Sequence, residues 1–250
     1  INTQYIRELV QRGYLLCHAA GLVNRQGRGL GMAGRSGGGK STLMLHCMAR
    51  SPYSFCSNDR LLVRDDAGVI DMQGIAKWPR INPGTALNNP ALASILPEAR
   101  RAALQALPLV ELWGLEEKYD ADIDRCFGEG RIALSGALAG FLVLNWRHGE
   151  GPAQFKRFDP LERSDLLKLI AKSPGPFHWP ALEPVELPGG GRLPPYQTSL
   201  AAYAETLSRV PVYEATGGID FERARAFCAE LLGQEAADAG KQVDSEQQRR

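Results

Sequence analysis

The octapeptide at residues 34–41, Gly-Arg-Ser-Gly-Gly-Gly-Lys-Ser, constrains this chain most, because it matches the pattern G-x-x-x-x-G-K-[ST]. Its glycines allow the backbone to curl so that several N–H groups point at one anion. The apolar pattern predicts a strand over residues 29–33 and a helix over residues 40–49, whose positive end adds a favourable field. We therefore expect a phosphate-binding loop where a strand meets a helix.

The side chains of this loop predict ATP and Mg²⁺ as its ligands. We expect Lys40 to reach the β- and γ-phosphates and the hydroxyl of Ser41 to ligate Mg²⁺. The nucleotide-binding residues predicted from the pattern are Gly34, Ser36, Gly37, Gly38, Gly39, Lys40, Ser41 and Thr42.

The composition excludes several other classes of protein. The chain of 250 residues has a formal net charge of +1, which gives no broad electrostatic reason to bind nucleic acid or an anionic membrane. No apolar run approaches the length of a membrane span. Five cysteines without a CxxC pair argue against a disulfide framework or a structural zinc site. We therefore expect a cytoplasmic protein without nucleic-acid or membrane partners.

Periodicity predicts a mixed α/β sheet in one domain over residues 1–233, with a disordered tail at 234–250. A hairpin is expected just before the loop, and residues 78–90 and 173–195 are predicted to be irregular. Asp220 is a plausible N-cap. The predicted helices are 3–12, 40–49, 98–107, 161–171, 199–208 and 220–232. The predicted strands are 14–23, 29–33, 53–56, 60–64, 69–72, 132–134, 137–146 and 211–214.

Few polar residues outside the loop are candidates for chemistry. Asp59 follows a predicted strand, where a carboxylate can bind Mg²⁺ through water or accept a proton; the alternative is a turn aspartate that caps local backbone. His18 lies in an apolar stretch, where a lone histidine is more often structural. Arg80 can clamp a phosphate or lie on the surface, Asn82 is a weaker candidate, and Lys118 forms either a site pair or a surface pair with Asp120.

The octapeptide has the narrower form G-x-S-G-x-G-K-S, and with its surroundings it resembles the HPr kinase/phosphorylase family. Residues 17–20, Cys-His-Ala-Ala, are similar to the strand that carries a functional histidine in that family. Residues 55–60, Phe-Cys-Ser-Asn-Asp-Arg, are similar to the segment with its aspartate pair. Residues 78–90, 111–113 and 116–120 look more like the HPr-kinase-related kinases of the B branch. The resemblance covers roughly residues 1–150.

This resemblance implies the P-loop fold of HPr kinase and phosphoenolpyruvate carboxykinase, with a mixed sheet. It also implies transfer of the γ-phosphoryl group of ATP to a hydroxyl, in particular a serine of a protein or peptide. Lys40, Asp59 and His18 are then the catalytic residues, Ser41 and Asp59 organise Mg²⁺, and Arg80 and Asn82 contact the substrate. Related kinases form hexamers, so the resemblance raises the option of a homo-oligomer and leaves the oligomeric state open.

Two departures from the family leave alternatives open. Asn58 replaces one aspartate of the pair, and the C-terminal segment that contacts the protein substrate is not recognisable, so the acceptor is an unidentified protein or peptide. A P-loop NTPase or nucleotide switch, a small-molecule kinase and a non-catalytic nucleotide sensor remain alternatives.

Overall fold

The computed structural model describes residues 2–115, 117–149, 151–174, 185–186, 192–193 and 199–233. The predicted tail at 234–250 and most of the predicted connection at 173–195 lie outside these residues. The helices are α1 Asn2–Gln11, α2 Lys40–Arg50, α3 Pro83–Leu87, α4 Glu98–Gln105, α5 Leu109–Gly114, α6 Ile123–Phe127, α7 Ser164–Ile170, α8 Leu200–Leu207, α9 Phe221–Leu232 and a 3-10 helix at Pro90–Ile95. The strands are β1 Leu15–Cys17, β2 Ala19–Val23, β3 Arg28–Gly34, β4 Ser54–Ser57, β5 Leu61–Asp66, β6 Val69–Gln73, β7 Arg80–Ile81, β8 Tyr119–Asp120, β9 Ser135–Leu144, β10 Gln154–Arg157, β11 Val185–Glu186, β12 Arg192–Leu193 and β13 Val212–Thr216.

Strand β9 is the centre of the mixed sheet. It pairs in parallel with β3 and, near its carboxyl end, with β13, whereas its first residues pair antiparallel with β6. The sheet continues through β5 to β1 on one side and through β2 to β4 on the other, and β10 pairs with β13. Because β2 and β3 pair antiparallel, the predicted hairpin ahead of the loop is confirmed. The predicted mixed α/β architecture is confirmed as well.

The sheet curls so that β4, at one end of the sheet, approaches the segment that follows β6. In the sheet order three strands separate β6 from β4, yet a Cβ added to Gly74, just after β6, would lie 2.0 Å from the carbonyl oxygen of Cys56 in β4. The next N–H, of Ile75, donates to the hydroxyl of Ser57 at 3.4 Å. The close approach of these two segments therefore requires a residue without a side chain at position 74.

Residues 131–133 also run beside β4. The Phe55 N–H donates to the Arg131 carbonyl at 2.8 Å, and the Phe55 carbonyl accepts from the Ala133 N–H at 2.9 Å. The predicted strand at 132–134 is wrong, because only a single parallel bridge joins Ile132 to Phe55. The backbone of this segment turns away after one bridge to enter β9.

Two short connections each link a strand at one end of the sheet to a strand near its other end. His18 alone links β1 to β2, and residues 58–60 link β4 to β5. The predicted single strand at 14–23 is wrong, because β1 pairs with β5 while β2 pairs with β3 and β4. Apolar residues on both sides of His18 conceal this change of partner in the sequence. The two connections bring His18 and Asp59 together.

Helices cover both faces of the sheet. On one face, α2 buries Leu43, Met44 and Cys47, as the sequence predicts, and packs with α9. On the other face α7 and α8 pack on the sheet around the buried Tyr203. The Asp220 side chain accepts from the Arg223 N–H at 2.9 Å, so its predicted role as an N-cap is confirmed.

The segment at 78–90 is more regular than predicted. It contains β7, which pairs antiparallel with β8, and α3, which begins at Pro83. Proline suits the first turn of a helix because the N–H that it lacks has no partner there. The short helices α5 and α6 and the strand β10 were not predicted. Within the described part of the chain, no helix is long and apolar enough to cross a membrane.

Replacement of Gly74 by alanine tests the curl of the sheet. We expect Gly74→Ala to lower the free energy of unfolding by about 2 to 3 kcal/mol, since a backbone carbonyl must move to admit the methyl group. Gly114→Ala is the matched control, because nothing lies within 4 Å of a Cβ added there. Urea unfolding followed by circular dichroism measures both variants, and equal stabilities would contradict the described approach of β6 to β4.

Candidate functional site

The glycine-rich loop lies between β3 and α2, where the sequence predicts it. Gly34 and Gly39 have positive φ angles of 149° and 90°, which favour glycine at both positions. The indole N–H of Trp146 donates to the Gly38 carbonyl at 3.0 Å, and the Phe221 ring packs edge-on against Trp146 with 5.3 Å between ring centroids. Residues after β9 and at the start of α9 thus support the loop from beneath.

The ammonium group of Lys40 lies over the loop. It donates to the carbonyls of Gly34 at 2.9 Å and of Arg35 at 3.0 Å, and the residue is 7% exposed. Burial lowers the pKa of Lys40, against the nearby charge of Asp59, which raises it. Since an ammonium has three donors, one remains for a ligand in the loop. The first N–H groups of α2 also have no intrahelical partner, because helical bonding starts one turn later.

Asp59 follows β4 and lies in an ion-pair cluster. Its Oδ1 is 2.8 Å from His18 Nε2, and its Oδ2 is 3.1 Å from Lys172 Nζ. The backbone of Lys172 is held beside β1, because its N–H donates to the Leu16 carbonyl at 3.0 Å. Sequence reasoning missed Lys172, and no local motif marks it, since only the path of the chain after α7 brings it to Asp59.

The partners of Asp59 determine its ionisation. Burial raises the pKa of this carboxyl group, but the hydrogen bonds from His18 and Lys172 outweigh burial and hold the pKa well below its usual range. Asp59 is therefore a carboxylate at neutral pH. A carboxylate of such low basicity is better suited to binding a cation or accepting a hydrogen bond than to holding a proton.

Nearly all of the predicted site residues line one cleft with a volume of about 390 Å³. Gly34 is the exception; it lies at the base of the loop, where its carbonyl accepts from Lys40. The predicted residues that line the cleft are His18, Ser36, Gly37, Gly38, Gly39, Lys40, Ser41, Thr42, Asp59, Arg80 and Asn82. The lining residues that sequence reasoning did not place in the site are Ser57, Arg60, Ile75, Lys77, Trp78, Ile81 and Thr85.

The lining residues in 77–85, together with Lys118, form what we call the far wall of the cleft. A hydrogen bond joins this wall to the helix that follows the loop. The hydroxyls of Thr42 in α2 and Thr85 in α3 are 2.8 Å apart, and Asn82, just before α3, accepts from the Lys118 ammonium. Lys118 lines the cleft, whereas Asp120 pairs with Arg80 at 3.6 Å. Both side chains of that pair are more than half exposed, so Arg80 belongs to the cleft and to an exposed ion pair at once.

The charges of the cleft favour an anionic ligand. Its lining contains five lysine and arginine residues and one carboxylate, in a chain whose net charge is only +1. Asp59 is already paired with His18 and Lys172, and a single carboxylate cannot balance five cationic side chains. Clefts lined by one sign of charge concentrate counter-ions of the other sign.

The cleft also has donors suited to Mg²⁺. Asn58 lines it, and its buried Oδ1 has no hydrogen-bond partner among the described residues. A metal-bound water would satisfy this oxygen. No group of three or more His, Cys, Asp or Glu residues in the described part of the chain could hold a metal. Mg²⁺ is commonly bound by one or two protein oxygens together with substrate phosphates, so Ser41 and Asp59 fit such a site.

The Asp59 cluster predicts a pH dependence of stability. Because the pKa of Asp59 is lower in the folded chain than in the unfolded chain, the carboxylate stabilises the fold above about pH 4, and this contribution is lost as the pH falls. In metal-free buffer, the difference in unfolding free energy between the unaltered chain and Asp59→Asn should therefore shrink from pH 7 to pH 3. Asp124→Asn, at an exposed position in α6, is the control and should show a flatter difference. A difference for Asp59→Asn that grows on acidification would contradict the described cluster.

No family model matches this chain, and no curated protein does. A solved structure, the Hpr(Ser) kinase/phosphatase from Coxiella burnetii, is similar over 94% of this chain and 98% of that chain, with a TM-score of 0.42 and 11% sequence identity. A similarity at this level does not assign the chain to that family.

Proposed function

We propose that this chain is an ATP-dependent phosphotransferase that moves the γ-phosphoryl group to a hydroxyl, in particular a serine of a protein or peptide. One observation carries the proposal: the glycine-rich loop with Lys40 and the carboxylate of Asp59 line the same basic cleft. Phosphoryl transfer requires mainly alignment and neutralisation of charge, which such a cleft provides.

In this proposal the loop holds the triphosphate. The unpaired N–H groups at the start of α2 point toward the anion, and the remaining donor of Lys40 contacts the β- and γ-phosphates. The support beneath the loop fixes these donors before the ligand arrives, because Trp146 holds Gly38 in place. Donors fixed in advance cost little reorganisation in the transition state.

Mg²⁺ would be held by the hydroxyl of Ser41 and, through water, by Asp59, with Asn58 contacting a metal-bound water. When bound, it neutralises the charge on the phosphate oxygens. The substitution of one family aspartate by Asn58 leaves this cleft with one carboxylate. Asp59 therefore has to serve both the metal and the acceptor.

The acceptor hydroxyl would approach from the side of Asp59. The bond between the γ-phosphorus and the bridging oxygen to the β-phosphate breaks, the acceptor oxygen bonds to phosphorus, and the hydroxyl proton passes to Asp59 or to water. His18 and Lys172 hold one oxygen each of this carboxylate, which leaves lone pairs free to orient the hydroxyl. The weak basicity of Asp59 is compatible with a loose transition state.

The remaining features of the proposal rest on the sequence. A serine acceptor and a homo-oligomer follow from the resemblance to HPr kinase/phosphorylase. A cytoplasmic location is supported by five cysteines that are all free thiols.

The proposal predicts that Lys40→Ala lowers the affinity for ATP by about 100-fold or more, since it removes the charged donor to the phosphates. Lys156→Ala is the matched control, because this lysine is exposed on β10 and does not line the cleft. Calorimetric titration with ATP and Mg²⁺ measures both variants. Retention of full ATP affinity in Lys40→Ala would show that the loop does not hold the nucleotide.

Transfer itself is tested with γ-labelled ATP and Mg²⁺ in lysate from the source of the chain, with Asp59→Ala as the inactive variant. Label on one protein, absent with Asp59→Ala, is expected. Label that appears only as free phosphate would favour the NTPase, and label on a small molecule would favour the small-molecule kinase. ATP binding without turnover would favour the nucleotide sensor.

Lys172 is expected to act as a positioning residue for Asp59. Lys172→Met should lower kcat by about 10- to 100-fold, as is usual when a supporting partner is lost, and should change KM for ATP less. Lys172→Arg keeps the cation and should restore part of kcat. Equal loss in both variants would mean that Lys172 supports only the fold, and a change confined to KM would mean that it contacts ATP.

A further inference from the structure

The cleft has more cations than the phosphate-binding loop uses. Lys40 belongs to the loop, but Lys77, Arg80 and Lys118 lie on the far wall, on and beside the two-stranded sheet of β7 and β8. We name these three residues the basic wall. A triphosphate bound to the loop leaves the positive charge of these three residues available to another ligand.

Two members of the basic wall have no carboxylate partner among the described residues. Lys77 and Lys118 form no ion pair there, and Lys118 donates instead to the neutral side chain of Asn82. Arg80 is paired with Asp120, but at 3.6 Å and with both side chains more than half exposed, which is a weak interaction. The wall is thus a net positive surface open to a ligand.

The basic wall is fixed in position. The β7–β8 pairing joins its two segments, and the hydroxyl contact between Thr42 and Thr85 fastens α3 to the helix of the loop. Arg80 lies on β7 and Lys118 directly precedes β8, so the β7–β8 pairing holds the backbone of both residues beside the cleft. Positioned charges select a ligand more sharply than charges on a free loop.

An exposed aromatic side chain lies at the rim of the wall. Trp78 is 49% exposed and lines the cleft directly after Lys77. Sites for small molecules usually enclose most of the surface of their ligand, whereas aromatic side chains such as tryptophan are enriched in surfaces that bind proteins. The far wall therefore fits an extended chain better than a small anion.

We infer that the cleft takes an acidic protein segment, with the phosphoacceptor hydroxyl flanked by aspartate or glutamate residues that lie against Lys77, Arg80 and Lys118. This inference rests on the proposed function, since it names the class of acceptor for the same site. The flanking carboxylates complement the wall, and the hydroxyl lies between the wall and the loop near Asp59. Such complementarity mainly sets specificity and the rate of association.

The test measures the binding of three fluorescent peptides of equal length, each with one central serine and with aspartate, lysine or alanine on both sides. Fluorescence anisotropy is measured with the full chain at saturating ATP, in the presence of EDTA to prevent turnover. At low salt the acidic peptide should bind about tenfold more tightly than the alanine peptide. The lysine peptide should bind most weakly, and rising salt should reduce the preference.

A double variant locates the preference on the wall. Lys77→Glu with Lys118→Glu should abolish it, whereas Lys156→Glu, a lysine reversed outside the cleft, should keep it. Equal binding of the three peptides, or a preference unchanged in the double variant, overturns the inference. In a separate titration without nucleotide, release of the bound acidic peptide on addition of ATP would also overturn the inference, because the peptide would then occupy the loop.

ATP titration of the unaltered chain separates this inference from the proposed function. If ATP binds and the peptides show no preference, the acidic acceptor is wrong and the phosphotransferase proposal stands. If ATP does not bind, the proposed function fails, whatever the peptides show.

Discussion

The candidate site depends on the parallel pairing of β3 with β9. In this register Gly34 lies opposite Leu144, and a Cβ added to Gly34 would be 2.7 Å from the Leu144 carbonyl oxygen. The two strands therefore end level with each other, so the loop that leaves β3 passes over the residues that leave β9. Trp146 reaches the Gly38 carbonyl for this reason. The position of α2, and with it that of Lys40, follows from the same pairing.

Local chemistry explains what could be predicted from the sequence. The loop, the hairpin before it and the cap at Asp220 each depend on residues close together in the chain, and their side chains have specific backbone preferences. The short helices α5 and α6 have too few turns for a clear periodicity. The change of strand partner at His18 lies between apolar residues that suit either sheet edge, so no pattern could locate it.

The site could be predicted only in part, because the rest of it depends on contacts between residues that are far apart in the sequence. Lys172 reaches Asp59 through the path of the chain after α7, and Lys118 reaches Asn82 across the β7–β8 pairing. No local motif marks Lys172, and the sequence around Lys118 left open whether that residue belongs to the site or to the surface. The total charge of +1 is likewise uninformative, since it averages over the surface, whereas the curl of the sheet gathers cations from distant segments into one cleft.

The far wall of the cleft lies within one continuous segment of the chain. Residues 74–134 connect β6 to β9, and these two strands pair antiparallel. The segment therefore stands where a hairpin turn would ordinarily join two such strands. The entropic cost of closing a flexible loop rises by only about 0.6 kcal/mol for each doubling of the loop's length. This segment is more than a loop, however, because Leu92, Leu104 and Ile123 within it belong to the same buried core as residues of α2. The far wall of the cleft and the helix after the glycine-rich loop are therefore stabilised by one common core, so a substitution that loosens the packing of either one affects both.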